Sequence, residues 1–233
     1  MIQMSYRYET HCHTKEVSIC GRWTGEELVR FYHKLGYNGV IISDHFFNGN
    51  SYVKTSKDPW EERVAQFCLG YDNAFAEGQK LGLDVFFAWE YSYQGSDFLT
   101  YGLDREWLLA HPDVCEWKPY EYFDKVHEDG GFIVHAHPMR QARYIHMFCL
   151  FPEQEDAVEV DNSAMSEIVN SRGEWYADNY GLLKTAGSDA HNADRKRFAG
   201  VEVEERFTSV QDYVKALKEG RAKRYSIDNP FLA

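Results

Sequence analysis

The stretch "YETHCHTKE", residues 8–16, sets His11 and His13 one residue apart behind a short run that reads as a strand. Residues i and i+2 of a strand point to the same face. The two imidazoles therefore look one way, and Cys12 looks the other way, into the core. A single pair of this kind is weak grounds for a metal clamp. What decides its meaning is whether other ligand-type side chains reach the same place.

Outward from that pair, short apolar runs alternate with helical stretches. "YNGVIISDH" (37–45) is a continuous apolar run opened by Asn-Gly, as in a strand buried on both faces. Before it, "TGEELVRFYHKLG" (24–36) offers Thr24 as N-cap, Glu27 three residues on to complete a capping box, and Gly36 as a stop. "WEERVAQFCLGYDNAFAEGQKLG" (60–82) predicts one long amphipathic helix, feeding the strand "LDVFFAWEY" (83–91). "KPYEYFDKVHEDGG" (118–131) has Pro119 in a first-turn position and leads into "FIVHAHP" (132–138). Then follow the strand "DAVEVDN" (156–162), a helix near 167–180, the strand "LLKTAGSDAH" (182–191) and a last helix "SVQDYVKALKEG" (209–220). This alternation, without repeats or a linker, predicts an α/β fold with a largely parallel sheet and one domain over 1–233. The longest irregular pieces, 46–59 and 139–155, are of the size that forms lids or substrate loops.

Composition narrows the function classes. Hydrophobic residues make up 44% and aromatics 16%, ample for a large core. A net charge of −12 argues against a nucleic-acid backbone as the main partner, since that binding rests on a cationic surface. The five cysteines, Cys12, Cys20, Cys68, Cys115 and Cys149, form no CxxC pair. That pattern reads as reduced thiols of a cytoplasmic protein. No secretion signal is visible, and no apolar run approaches the ~20 residues that span a bilayer.

Of ten histidines, six fall at or just beyond the C-terminal end of an expected strand: His11, His13, His45, His135, His137 and His191. Asp44, Glu90 and Asp189 stand among them. In a parallel barrel those strand ends converge on one mouth. Neutral imidazole suits Zn, Mn or Fe, and a bridging carboxylate holds two ions together. The expectation is a polynuclear site for divalent ions. His33, His111, His127 and His146 fall elsewhere and read as surface or packing residues.

"THCH" (10–13), "SDH" (43–45), "WE" (89–90), "AHP" (136–138) and "GSDAH" (187–191), in that order, resemble the PHP (polymerase and histidinol phosphatase) domain. The resemblance spans residue 8 to about 220. It implies a distorted (β/α)7 TIM-like barrel holding two or three metal ions and usually hydrolysing phosphoesters. Matched by motif, it implies that His11, His13, Glu90 and Asp189 hold one ion. Glu90 would bridge to a second held also by His137, and His45 and His191 would hold a third. Two departures stand out. Where many relatives carry a further His after the HxH, this chain reads "TKEVSI", so Glu16 or Ser18 would substitute. Where many carry a His soon after the bridging Glu, "SDFLTYG" offers Asp97.

His135 reads as sharing a strand face with His137, with ligand, proton donor and supporting partner all open. Asp44 could coordinate or orient an imidazole. Paired ions favour in-line hydrolysis by an activated hydroxide, with His191, His45 or His135 assisting the leaving alcohol. Arg140 and Arg143 are candidates to grip phosphate oxygens. Asn162 of "EVDN" could meet the substrate, "DRKR" (194–197) could charge the rim, and Trp89, Tyr91, Tyr93, Phe46 and Phe47 could stack a base. The expected substrate is a small anionic phosphorylated metabolite. The alternatives are an amidohydrolase-like metal hydrolase for an amide or lactone, and a metal-binding module without turnover.

Overall fold

The computed structural model describes residues 5–232. The strand carrying the HxH pair, β1 (Tyr6–Cys12), leads to α1 (Gly25–Lys34) and β2 (Gly39–Ile42). After a short 3-10 turn come α2 (Trp60–Phe67), α3 (Leu69–Leu81), β3 (Asp84–Phe87), β4 (Trp89–Tyr93) and β5 (Ser96–Tyr101). The chain continues through α4 (Arg105–Ala110), α5 (Pro119–Glu128), β6 (Phe132–Ala136), β7 (Ala157–Asn162), α6 (Glu167–Tyr180) and β8 (Leu183–Gly187). It ends with β9 (Arg197–Val203), α7 (Val210–Lys218) and β10 (Lys223–Asp228). Among the described residues no helix is long and apolar enough to cross a membrane.

The strands form two mixed five-stranded sheets, β10-β9-β1-β2-β3 and β4-β5-β6-β7-β8. The fold expected is a distorted (β/α)7 TIM-like barrel with a largely parallel sheet; the α/β composition is present, but both sheets are mixed. Four antiparallel pairings, which the apolar runs did not announce, make them so: β4 turns back on β5 through Gln94-Gly95, β5 pairs with β6, β9 pairs with β1, and β10 pairs with β9. Isolated parallel bridges still join the two sheets, Cys12 to Ala190 and His45 to Glu90. Both bridges lie at or beyond strand C-termini, so the sheets meet where the histidines gather.

Local chemistry accounts for the helix ends. Thr24 accepts from the Glu27 N–H while Glu27 accepts from the Thr24 N–H, a complete capping box contributing about 1 kcal/mol. The long helix expected over 60–82 is broken at Cys68 into α2 and α3. The break sets Gly70 against Thr14 and Asp44, where a Cβ on Gly70 would overlap Thr14 Oγ1 and come within 2.9 Å of Asp44 Oδ2. That backbone contact, not helix propensity, fixes where the helix bends. One aromatic core lies under the mouth and includes Phe46, Phe47, Trp89, Tyr91, Phe98 and Tyr122. Tyr91 stacks on Tyr122 at 3.9 Å between centroids. The aromatics offered as base-stacking candidates are therefore mainly core residues: Phe46, Phe47, Trp89 and Tyr91 are buried, and Tyr93 packs against Phe151.

Candidate metal centre

At the junction of the sheets the structure brings together His11, His13, His45, Glu90, His137, Asp189 and His191. The ligand atoms of His11, His13 and Asp189 lie within 4.8 Å of one another, as do those of Glu90, Asp97 and His137, and of His13, His45 and His191. Glu90 sits at the centre. Its Oε1 is 3.2 Å from His11 Nε2 and 3.4 Å from His137 Nε2, and its Oε2 is 2.6 Å from His45 Nδ1 and 3.6 Å from His13 Nε2. Asp189 Oδ1 lies 3.6 Å from His11 Nε2 and 3.3 Å from His13 Nε2. Two of these residues have strained backbone: His137 has φ +33° and Asp189 φ +51°. Each such residue costs on the order of 1–3 kcal/mol, and such strain clusters at functional sites.

The hydrogen bonds behind the imidazoles decide which nitrogen carries the proton. His11 Nδ1 faces Glu159 Oε1 at 3.0 Å, and His191 Nδ1 faces the Asp189 carbonyl at 2.9 Å; both partners only accept. His13 Nδ1 faces Ser18 Oγ at 3.2 Å, and Ser18 in turn donates to Asp44 Oδ1 at 2.7 Å. The Ser18 hydroxyl proton is thereby committed, so His13 Nδ1 must donate. All three rings then present an Nε2 lone pair to the centre, the arrangement that outer carboxylates impose on metal-binding histidines.

That arrangement is the test of fit for a metal. His11 Nε2 and His13 Nε2 stand 3.1 Å apart, and two facing lone pairs repel unless a cation lies against them. Both carboxylate oxygens of Glu90 and the Nδ1 of His45 are buried with no aligned hydrogen bond. Buried polar atoms normally have partners, so a donor set of this kind fits divalent ions. In the ion-free chain a proton answers the same field. Burial disfavours charge on His11, but Glu159, Glu90 and Asp189 outweigh it and hold that imidazole well above its usual pKa. Burial and the neighbouring His191 and His45 push His13 well below.

Other expected residues stand elsewhere. Glu16 lies outside these groups. Its Oε1 accepts from the Gly25 N–H at the start of α1 and from Asn73 Nδ2, both at 3.0 Å, so the helix terminus has claimed the carboxylate. His135 does not share the face of His137. β6 ends at Ala136, and the left-handed backbone of His137 breaks the two-residue alternation. His135 instead pairs with Glu155 at 2.9 Å against Phe98. Asn162 is fully buried and donates to Glu159 Oε2 at 2.7 Å, so it holds Glu159 rather than facing the cavity. Arg143 is exposed and does not line the cavity. In "DRKR", Arg195 donates to the Ser188 carbonyl and Arg197 pairs with Asp161.

Asp44 orients rather than faces the centre. It accepts from the Thr14 N–H, Thr14 Oγ1 and Ser18 Oγ, each at 2.7 Å, and burial still pushes its carboxyl up to about 6. Three residues escaped the sequence reading. Glu159 supports His11. Glu9, fully buried, accepts from the backbone of His11 (2.9 Å) and Ser188 (2.8 Å) and from Tyr32, clamping β1 to the segment bearing Asp189. Cys20 places Sγ 3.2 Å from His45 Nε2. Burial pushes its thiol up, and hydrogen bonds from His191 and His45 reverse this, bringing it to about 6. Glu9 sits two residues before His11 on the same strand face, which was the one available signal.

A cavity of about 870 Å³ opens over the centre. Both long irregular segments wall it, 46–59 through Asn48, Tyr52 and Lys54 and 139–155 through Arg140 and Tyr144. Arg140 Nη2 donates to Asp97 Oδ2 at 2.6 Å, while its Nε is buried without a partner.

A family model described as PHP-associated matches residues 167–222. No curated protein matches it. A two-domain protein of Bacteroides vulgatus, described as containing a predicted PHP-like metal-dependent phosphoesterase, is 16% identical over 95% of this chain with a TM-score of 0.70. This chain spans 65% of that protein's length. A Bifidobacterium adolescentis protein, described as a candidate metal-dependent phosphoesterase, is 19% identical (TM-score 0.54, 79% of this chain and 87% of that one). A Chromobacterium violaceum protein described as an amidohydrolase, with bound sulfate and no metal, is 14% identical (TM-score 0.56, 93% and 97%). At such identities the likeness establishes the fold.

Proposed function

We propose that this chain is a phosphoesterase that hydrolyses a small phosphorylated metabolite with two or three divalent ions, Zn, Mn or Fe. The observation that carries this reading is Glu90, buried to 1% exposure with both oxygens unpartnered and nitrogens of His11, His13, His45 and His137 within 3.6 Å of them. His11, His13 and Asp189 would hold one ion, Glu90, Asp97 and His137 a second, and His45 with His191 a third. Such ions supply Lewis acidity and lower the pKa of water, which phosphoester hydrolysis needs.

The chain's own residues do the rest. Glu159, Asp44 and Ser18 fix the tautomers of His11 and His13, so their lone pairs are aimed before a substrate arrives. Arg140 presents an unpartnered Nε at the cavity wall and would take a phosphate oxygen, its charge set against Asp97 at rest. With only two ions bound, His191 and His45, both lining the cavity, would be free to give a proton to the leaving alcohol. Tyr52 and Tyr144 line the same cavity and would meet the organic part of the substrate. All five cysteines are free, which supports a reducing compartment such as the cytoplasm.

The experiment is metal analysis of the purified protein, then phosphate release over a panel of phosphorylated metabolites with and without Mn²⁺. Release that Asp189→Ala abolishes supports the reading. Bound metal with hydrolysis of amides or lactones and none of phosphoesters would favour the amidohydrolase alternative, to which the Chromobacterium violaceum neighbour gives some weight.

A further inference from the structure

Cys20 reaches the mouth by a tight fold-back after β1. The Ser18 N–H donates to the Thr14 carbonyl at 3.0 Å and the Gly21 N–H to the Ser18 carbonyl at 2.9 Å. The Arg22 N–H then donates to the His191 carbonyl at 2.9 Å, tying this turn to the segment that carries His191. Cys20, His45 and His191 all line the cavity. His45 stands between two partners: Nε2 lies 3.2 Å from Cys20 Sγ, and Nδ1 faces Glu90 Oε2 at 2.6 Å without an aligned hydrogen bond.

The four candidate ligand groups among the described residues differ in charge. Three contain carboxylates: Asp189 in one, Glu90 with Asp97 in another, and Glu159, with His11 and His137, in a third. The group of His13, His45 and His191 offers only imidazoles. That group itself supplies no anionic ligand; Glu90 Oε2 faces the Nδ1 side of His45 at 2.6 Å, and on its Nε2 side stands the Cys20 sulfur at 3.2 Å. We propose that Cys20 supplies a thiolate ligand to the ion held by His45 and His191, making that position selective for thiophilic metals. The inference rests on the metal centre proposed above. Imidazole with thiolate favours Zn²⁺, Co²⁺ or Fe²⁺ over Mn²⁺ or Mg²⁺, which prefer oxygen. The carboxylate-rich positions carry no such bias, so the centre would bind two kinds of metal.

The test is Co²⁺ loading of the full chain, read by absorption and metal stoichiometry rather than turnover. Bound Co²⁺ reports its presence through visible ligand-field bands and its sulfur ligand through a near-ultraviolet charge-transfer band. The wild type is expected to show both. Cys20→Ala should lose the charge-transfer band and one equivalent of Co²⁺, while Cys149→Ala keeps both. Cys20→Asp should recover the equivalent without the band and take up Mn²⁺ there. Circular dichroism confirms that each variant folds. Ligand-field bands without a charge-transfer band in the wild type, or a band that survives Cys20→Ala, would overturn the thiolate ligand and leave the centre standing. If no Co²⁺ binds at all, the centre fails and this ligand with it.

Discussion

Glu159 is the residue whose alteration most directly probes how the fold aims the centre. It accepts three hydrogen bonds: from His11 Nδ1 (3.0 Å), the His137 N–H (3.2 Å) and Asn162 Nδ2 (2.7 Å). Glu159→Gln keeps the shape and exchanges one acceptor oxygen for an NH₂ donor. If the amide oxygen stays toward His11, the NH₂ meets the two other donors, His137 N–H and Asn162 Nδ2. If the amide flips, its NH₂ faces His11 Nδ1, and that ring must move its proton to Nε2, losing the lone pair aimed at the centre. The first orientation leaves two buried donors without an acceptor, at about 1–3 kcal/mol each, whereas the second satisfies them at the cost of the changed tautomer. The amide takes the cheaper orientation, so the expected stability loss of the ion-free protein is about 1–3 kcal/mol. Supporting carboxylates behind metal-binding histidines typically change affinity by about 10–100-fold, and a loss of that size is expected here. Denaturant unfolding with chelator present gives the first quantity, and zinc competition against a chromogenic chelator gives the second. Unchanged zinc affinity together with the stability loss would refute the tautomer argument, since Glu159 would then be only a packing group.

Gly187 leaves room for the same contact: a Cβ there would overlap Glu159 Oε1 and lie 2.7 Å from His11 Cβ. Gly187→Ala should cost about 1–3 kcal/mol and reduce metal content measurably by plasma emission, and retained metal at wild-type stability would contradict it. His135→Phe should lose about 1–3 kcal/mol by removing one of the three donors to buried Glu155, which keeps those of the Phe151 N–H and Tyr176 Oη, with metal content unchanged; a fall in turnover without a fall in melting temperature would restore a catalytic role for His135. Carboxylate neighbours hold His11 and His45 well above the usual histidine value despite burial. Below those raised values protons occupy the nitrogens that metal must take, so zinc affinity should climb with pH above about 6.5, by about tenfold per unit for each proton displaced. Competition titrations showing affinity flat or falling over that range would be incompatible with this. Arg140→Ala should raise KM for a phosphoester about 10–100-fold, the worth of a charged hydrogen bond, and an unchanged KM would remove Arg140 from substrate binding.

The sequence by itself determined the elements that local chemistry specifies. The Thr24–Glu27 capping box, Pro119 at the start of α5 and the apolar runs before "SDH" and "AHP" placed those helices and strands within a few residues. The HxH pair on one strand face followed from backbone alternation alone. The ordered motifs brought out the resemblance to the PHP domain, because they list imidazoles and carboxylates that the fold gathers at one place.

Tertiary structure decided the rest, for reasons no local pattern contains. The alternation rule that placed His11 beside His13 failed between His135 and His137, because a left-handed residue sits where the rule assumes a strand. Glu16 was drawn to a helix terminus, while Glu159 and Cys20, 148 and nine positions along the chain from His11, came to stand behind and beside the imidazoles. The antiparallel β4–β5 turn and the β9–β10 pair made both sheets mixed where a largely parallel one was expected. Period and capping energies act over a few residues, whereas the lone-pair directions of a metal centre are fixed by hydrogen bonds between strands far apart in the chain.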